Sequence, residues 1–162
     1  MKKVSLGGSC HWCTEAIFQS LKGVTTVFQG WVASTDENTS FSEAIVIEYD
    51  AAIITLKTLI EVHLHTHSST SNHSFRKKYR SAVYYYSEEH RVEILKIIEE
   101  LQNDFAETII TQVLPFESFK LNIEEQLNYY KKNPEKPFCK NIINPKLDKI
   151  RALFSEKVNL KY

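Results

Sequence analysis

No sign of charge dominates this chain: 20 Lys and Arg balance 20 Asp and Glu, for a formal net charge of zero at pH 7. That balance leaves no electrostatic argument for nucleic acid or an anionic membrane as a partner. Long hydrophobic runs are missing too, and no stretch approaches the ~20 apolar residues that span a bilayer. The run that follows Met1-Lys2-Lys3 is too short for a signal peptide. Cysteine is scarce, and its count of three is odd. With no export signal, an odd count argues against a disulfide framework and for a cytoplasmic protein with at least one functional thiol. There is no repeat, low-complexity segment or dividing linker, so the 162 residues are expected to form one domain, 1–162. What remains is an ordinary globular composition, 43% hydrophobic and 25% charged, able to build a core.

The most informative stretch is Gly7-Gly8-Ser9-Cys10-His11-Trp12-Cys13. Val4 and Leu6 end a short strand before it, and the paired glycines free the backbone for a tight turn. A helix is expected over 14–22, with Ala16, Ile17, Phe18 and Leu21 on one face and Gly23 as its stop. Cys10 therefore falls at or just before a helix N-terminus, where free N–H groups and the helix dipole favour a thiolate. Cys13 follows one turn later, within reach of a disulfide. Read from spacing alone, either cysteine serves equally well as a small buried residue.

Strands are expected over 24–32 and 43–50, the second apolar and β-branched through its middle and hence buried. Thr55 is a candidate N-cap for a helix carrying Leu56, Leu59, Ile60, His63 and Leu64. A loop follows at 68–72, then a strand over 80–86. Ser87 caps a long helix whose Val92, Leu95, Ile98 and Leu101 recur on one face. A fifth strand is expected over 108–114, a helical patch over 123–130, and a last helix over 145–154 with Pro145 in its first turn. Strands interleaved with helices, two strands adjacent, predict an α+β sheet with helices on one face and an irregular C-terminal tail.

His63 and His67 share a helical face at a zinc-like spacing. Two ligands are not a site, however, and no carboxylate or Cys stands beside them in sequence, so no metal is expected. Arg76-Lys77-Lys78 is too short for a nucleic-acid patch.

The segment Gly8-Ser9-Cys10-His11-Trp12 resembles the Gly-Cys-Phe-Trp signature of the peptide methionine sulfoxide reductase A family. The likeness continues through Thr14-Glu15-Ala16-Ile17-Phe18, Glu43-Ala44-Ile45-Val46, Tyr79-Arg80-Ser81-Ala82-Val83, Thr111-Gln112-Val113-Leu114-Pro115, Asn133-Pro134 and Phe138-Cys139. It implies a two-layer ferredoxin-like plait with a mixed sheet. It also implies reduction of methionine-S-sulfoxide, free or in proteins, to methionine. In that resemblance Cys10 is the nucleophile, Glu43 the acid that protonates the leaving oxygen, and Tyr79 a hydrogen-bond donor to the same oxygen. Trp12 packs on the substrate methyl group. A second thiol, Cys13 or its rival Cys139, captures the sulfenic acid. Turnover then requires thioredoxin or a similar dithiol and no cofactor, and a monomer is expected.

The family pattern breaks at three places. Its Phe after the nucleophile is His11, its Gly-Tyr after the second strand is Gly30-Trp31, and its Asn-Asp-x-Gly-Thr-Gln-Tyr segment is the basic run ending at Tyr79. Ser74, or with a one-residue slip His73, stands where the family has Asp. His11 or His73 is expected to assist thiolate formation or proton delivery. Two other readings stay open on sequence: a general thiol–disulfide oxidoreductase using Cys10 and Cys13, and a non-catalytic module that binds oxidised methionine.

Overall fold

Alternating apolar residues build the middle of the sheet. In the computed structural model, which describes residues 1–159, strand β1 (Lys2–Gly7) lies antiparallel between β3 (Ser42–Tyr49) and β4 (Ala82–Tyr85). The register sets Val4 opposite Ile47 and Leu6 opposite Ile45, so these four fully buried side chains share one face. β2 (Val24–Ala33) flanks β3, β5 (Gln112–Pro115) runs parallel to β4, and β6 (Ser118–Leu121) closes the other edge. The order is β5-β4-β1-β3-β2-β6.

The helices are α1 (His11–Gln19), α2 (Leu56–Thr66), α3 (Glu88–Leu101), α4 (Tyr129–Lys132) and α5 (Asn144–Leu153). Their buried residues, Phe18, Ile60, Ile94 and Ile150 among them, join one core with Val4, Leu6, Ile45 and Ile47. Helices therefore cover a single face, as the sequence predicts. Removing a side chain as enclosed as Phe18, which is 0% exposed, costs about 3–5 kcal/mol in such a core. The opposite face carries a smaller cluster of Val32, Ala44, Ala82 and Tyr84, with Phe116 and Phe119 against it. Both expected caps form: Thr55 Oγ1 accepts from the Thr58 N–H at 3.1 Å, and Ser87 Oγ from the His90 N–H at 3.2 Å. No helix among the described residues is long and apolar enough to cross a membrane.

Four expectations need correction. The buried face of α3 is Ile94, Ile97 and Leu101, while Val92 and Leu95 are exposed, because the helix turns the residues two positions further on towards the core. Helix α1 starts at His11 rather than residue 14, because the chain turns into the helix immediately after Cys10. The strands expected over 80–86 and 108–114 shorten to Ala82–Tyr85 and Gln112–Pro115. The helix expected over 123–130 is instead a turn at Glu124–Gln126 and the four-residue α4, separated by Asn128 in the left-handed region (φ +55°). Asn tolerates that conformation where most residues do not. Glu15 stabilises the break, its carboxylate accepting from the Asn128 and Tyr129 N–H groups at 3.0 and 3.2 Å. β6 went unforeseen because a four-residue, largely exposed edge strand carries little alternation. The expected domain runs to residue 162, and its last three positions lie outside the described residues.

Candidate active site

Cys10 is the N-cap of α1, half-buried, directly after the Gly7-Gly8 turn. Gly8 is required there on two counts. Its φ of +149° suits glycine, and a Cβ would stand 2.5 Å from the His67 ring. Beneath this turn His63 donates from Nε2 to the Gly7 carbonyl at 2.7 Å. His67 donates from Nδ1 to the His63 carbonyl at 2.5 Å, and its Nε2 accepts from the Ser81 hydroxyl at 2.7 Å. Burial pushes the His63 pKa down from 6.5 to about 4 and lowers His67 as well. These histidines are a neutral floor for the Gly7–Cys10 turn. Among the described residues the group able to hold a metal is different: Glu61, His65 and Asp104, with ligand atoms within 4.8 Å of one another.

The Cys10 thiol is held below its ordinary value of 9.0. The main cause is the Cys13 S–H, which donates to it, and the Trp12 and Cys13 N–H groups at the helix start add to the effect. Burial and the Glu43 charge oppose them. Cys13, fully buried, is pushed far up by the same hydrogen bond and by burial, while Lys146 pulls it down. Of the two, Cys10 is the more readily ionised and Cys13 the one that keeps its proton. Cys139 opens a π-helical turn (Cys139–Ile143) before α5, is completely buried, and lies close enough that its charge would act on Cys13.

An open cleft of about 540 Å³ borders Cys10 and Cys13, with Tyr79, His73, Phe138 and Lys146 on its walls. Tyr79 is carried there by the loop after α2. The Lys78 carbonyl accepts from the Glu43 N–H at 3.0 Å and from the Ser42 hydroxyl at 2.9 Å, lacing the loop to β3. Arg76 gives its guanidinium to four carbonyls, those of Ser68, Ser71, Gly8 and Tyr79, at 2.5–2.9 Å. It thereby ties the Tyr79 loop to the turn that precedes Cys10.

Glu43 lies beside this cleft rather than in its wall, at the opening of β3 and 5% exposed. Its Oε1 accepts from the backbone N–H of His11 at 3.2 Å and faces the His11 ring at 3.3 Å. The carboxylate is therefore one residue from Cys10. Trp31 pairs with Glu43 across the β2–β3 ladder, and its ring meets His11 edge-on at 5.1 Å. Lys78 joins the two regions: its ammonium stands 3.7 Å from Glu43 Oε2 and lies over the Tyr79 ring, bonding that residue.

Cys10, Cys13, Tyr79 and His73 thus meet at one cleft, and the buried His11 and Glu43, with the half-buried Trp31, form a niche against it. Trp12 is stacked face to face with Tyr129 at 3.8 Å, with Phe138 edge-on at 5.5 Å. Ser74 is exposed, between His73 and Phe75 on the same loop, and does not itself line the cleft. Sequence reasoning missed Lys78, Arg76 and Tyr129. Adjacency to Tyr79 was the one available signal for Lys78.

Comparison with known proteins identifies the family. The family model "Peptide methionine sulfoxide reductase" matches residues 2–158. A peptide methionine sulfoxide reductase MsrA of Sulfolobus acidocaldarius is 30% identical over 99% of both chains. One of Pasteurella multocida is 33% identical over 92% of this chain and 94% of that one. Among solved structures, Mxr1 from Saccharomyces cerevisiae in reduced form aligns with a TM-score of 0.75 at 24% identity, covering 85% of this chain and 88% of that one. Mxr1 in complex with Trx2 aligns with a TM-score of 0.63 at 25% identity, over 77% and 82%. With a family match from residue 2 to residue 158 and relatives aligned end to end, the chain belongs to the peptide methionine sulfoxide reductase family.

Proposed function

We propose that this protein reduces the S epimer of methionine sulfoxide, free or in a polypeptide, to methionine. The observation that carries this reading is the joint placement of an N-cap cysteine, a second thiol hydrogen-bonded to it, and a buried carboxyl one residue away. Cys10 attacks the sulfoxide sulfur while the oxygen takes a proton from Glu43 and a hydrogen bond from Tyr79. The S–O oxygen passes to Cys10 as a sulfenic acid, and methionine leaves. The Cys13 thiol then displaces that oxygen as water, closing a Cys10–Cys13 disulfide; Cys139 is the rival partner. A dithiol of the thioredoxin class returns two electrons and restores both thiols, a step supported by the yeast relative's structure with Trx2. No cofactor enters.

Trp12, His11 and Trp31 bound the substrate side of the site, with His73 and Ser74 on the loop at its rim. The β4-β1-β3-β2 order within the sheet supports a ferredoxin-like plait as the frame. We take residues 1–162 as one domain acting as a cytoplasmic monomer. The test uses purified protein, dithiothreitol and both epimers of a methionine sulfoxide substrate. Consumption of the S epimer alone, lost in Cys10→Ser, is the expected result. Insulin reduction without sulfoxide turnover, or sulfoxide binding without either activity, would overturn the reading.

A further inference from the structure

The His11 ring is oriented by two neighbours. Its Nδ1 lies 2.9 Å from the Gly30 carbonyl, and its edge packs on Trp31 at an interplanar angle of 72°. A carbonyl oxygen only accepts, so Nδ1 carries a proton. The other nitrogen, Nε2, faces Glu43 Oε1 at 3.3 Å, and both side chains are only 7% exposed. Asn122 approaches the same nitrogen with its amide N–H group at 3.4 Å while also donating to Gln29 Oε1 at 2.7 Å. If Nε2 and Glu43 were both unprotonated, two lone pairs would confront each other in a niche from which water is excluded, at a large cost. A single proton between them converts the contact into a charge-assisted hydrogen bond, whichever atom holds it.

We propose that His11 and Glu43 share one proton and act as a single proton store for the sulfoxide oxygen, with His11 the positioning residue that keeps Glu43 loaded. This rests on the functional reading above and deepens it. The balance closes. Cys10 thiolate, the protonated pair and the sulfoxide give Cys10 sulfenic acid, methionine and the unprotonated pair, with the proton ending on the former sulfoxide oxygen. Condensation of the sulfenic acid with the Cys13 thiol releases water and draws nothing from the pair. When a dithiol reduces the disulfide, the Cys10 thiol gives its proton to the pair and the thiolate is restored. The His11 ring gives Glu43 a neighbour that can hold the shared proton from the other side of the contact, which a lone carboxyl lacks.

The other charged groups facing the pair are few. Lys78 stands 3.7 Å from the far carboxylate oxygen, from the loop before β4. Cys10 and Glu43 act on each other electrostatically, and Glu15 on α1 feels the charge of His11. Lys120 of β6 lies over the Trp31 ring, 5.7 Å from its centre.

The test is the pH profile of kcat/KM for the S-sulfoxide with dithiothreitol, in the unmodified protein, in His11→Phe and in His11→Gln. The alkylation rate of Cys10 is followed in parallel. Phe fills the niche but holds no proton, and Gln keeps a polar contact but does not titrate. Both variants are expected to lose kcat/KM, by about tenfold at pH 8 and by less at pH 5.5, with alkylation unchanged. A uniform fall at every pH, no fall at all, or a fall matched by the alkylation rate overturns the proposal. Should neither variant fold, ¹⁵N-histidine NMR of the unmodified chain and of Glu43→Gln decides it. A titration of His11 Nε2 that moves when Glu43 is replaced supports sharing, and one indifferent to Glu43 refutes it. Absence of turnover by the unmodified protein at any pH would sink the functional reading instead, and so is distinguishable.

Discussion

Two regions meet at Cys10, and they differ in almost every physical respect. On one side is an open cleft with Tyr79, His73, Phe138 and Lys146, wide enough for a side chain carried on a polypeptide. On the other is a closed niche in which His11, Glu43 and Asn122 are each under a tenth exposed and satisfy one another by hydrogen bonds. In the proposed reading the cleft admits substrate and reductant, while the niche keeps a proton away from bulk water until the sulfoxide oxygen arrives. The nucleophile sits at the boundary because a helix must begin there: its N-cap position faces the cleft, and the next residue anchors in the niche. Access and proton storage are thereby separated by a single peptide bond.

The comparison can be broken at its boundary first. Cys10→Ser replaces the thiolate with a hydroxyl that does not ionise at neutral pH, and kcat/KM is expected to fall by at least ~1000-fold with the fold intact by circular dichroism. Within the niche, Glu43→Gln removes the acid but keeps the shape, and a loss of about 100- to 1000-fold is expected, measured under single turnover. An effect of only twofold would move the acid out of the niche.

The floor beneath both regions answers to pH. His63 has a folded pKa near 4 against 6.5 for the exposed side chain, so the unfolded chain binds a proton that the folded chain refuses. Stability is therefore full above pH 6.5, falls as pH drops towards 4, and levels off below; His67 acts in the same direction. The loss from His63 alone is about 3 kcal/mol at most. Urea unfolding between pH 7 and 4 measures it, and His63→Gln should flatten that part of the curve.

On the cleft side, Cys13→Ala deletes the hydrogen bond that most lowers the Cys10 thiol. Its pKa should rise towards the ordinary value, so alkylation of Cys10 at pH 7 slows, and the sulfenic acid formed in the first turnover becomes trappable by dimedone. The smallest effect belongs to Lys78, which touches both regions but is 64% exposed. Lys78→Met is expected to lower kcat/KM by roughly two- to fivefold, since exposed ion pairs contribute little.

Much of this was legible from sequence because it depends on local rules. Paired glycines between a strand and an amphipathic helix placed Cys10 at an N-cap, and apolar, β-branched and aromatic stretches located the four inner strands. The resemblance collected Glu43 and Tyr79, which no local rule would have joined to Cys10. What stayed hidden depends on tertiary acceptors. Arg76 looked like part of a basic rim, yet its charge is committed to carbonyls of Ser68, Ser71, Gly8 and Tyr79, whose positions only the folded loop defines. The break at Asn128 follows from the Glu15 carboxylate arriving from α1, far away in sequence. His11 announced itself as a departure, but its partner atoms could be named only once Gly30 and Glu43 were seen on either side of the ring.

The most direct test of the account is one turnover without reductant. The reduced protein is mixed with excess S-sulfoxide, the methionine released is counted, and the disulfide is mapped by peptide mass spectrometry. The account predicts one methionine per chain and a Cys10–Cys13 bond. Turnover that leaves Cys10 unmodified, or that proceeds equally with the R epimer, would contradict it.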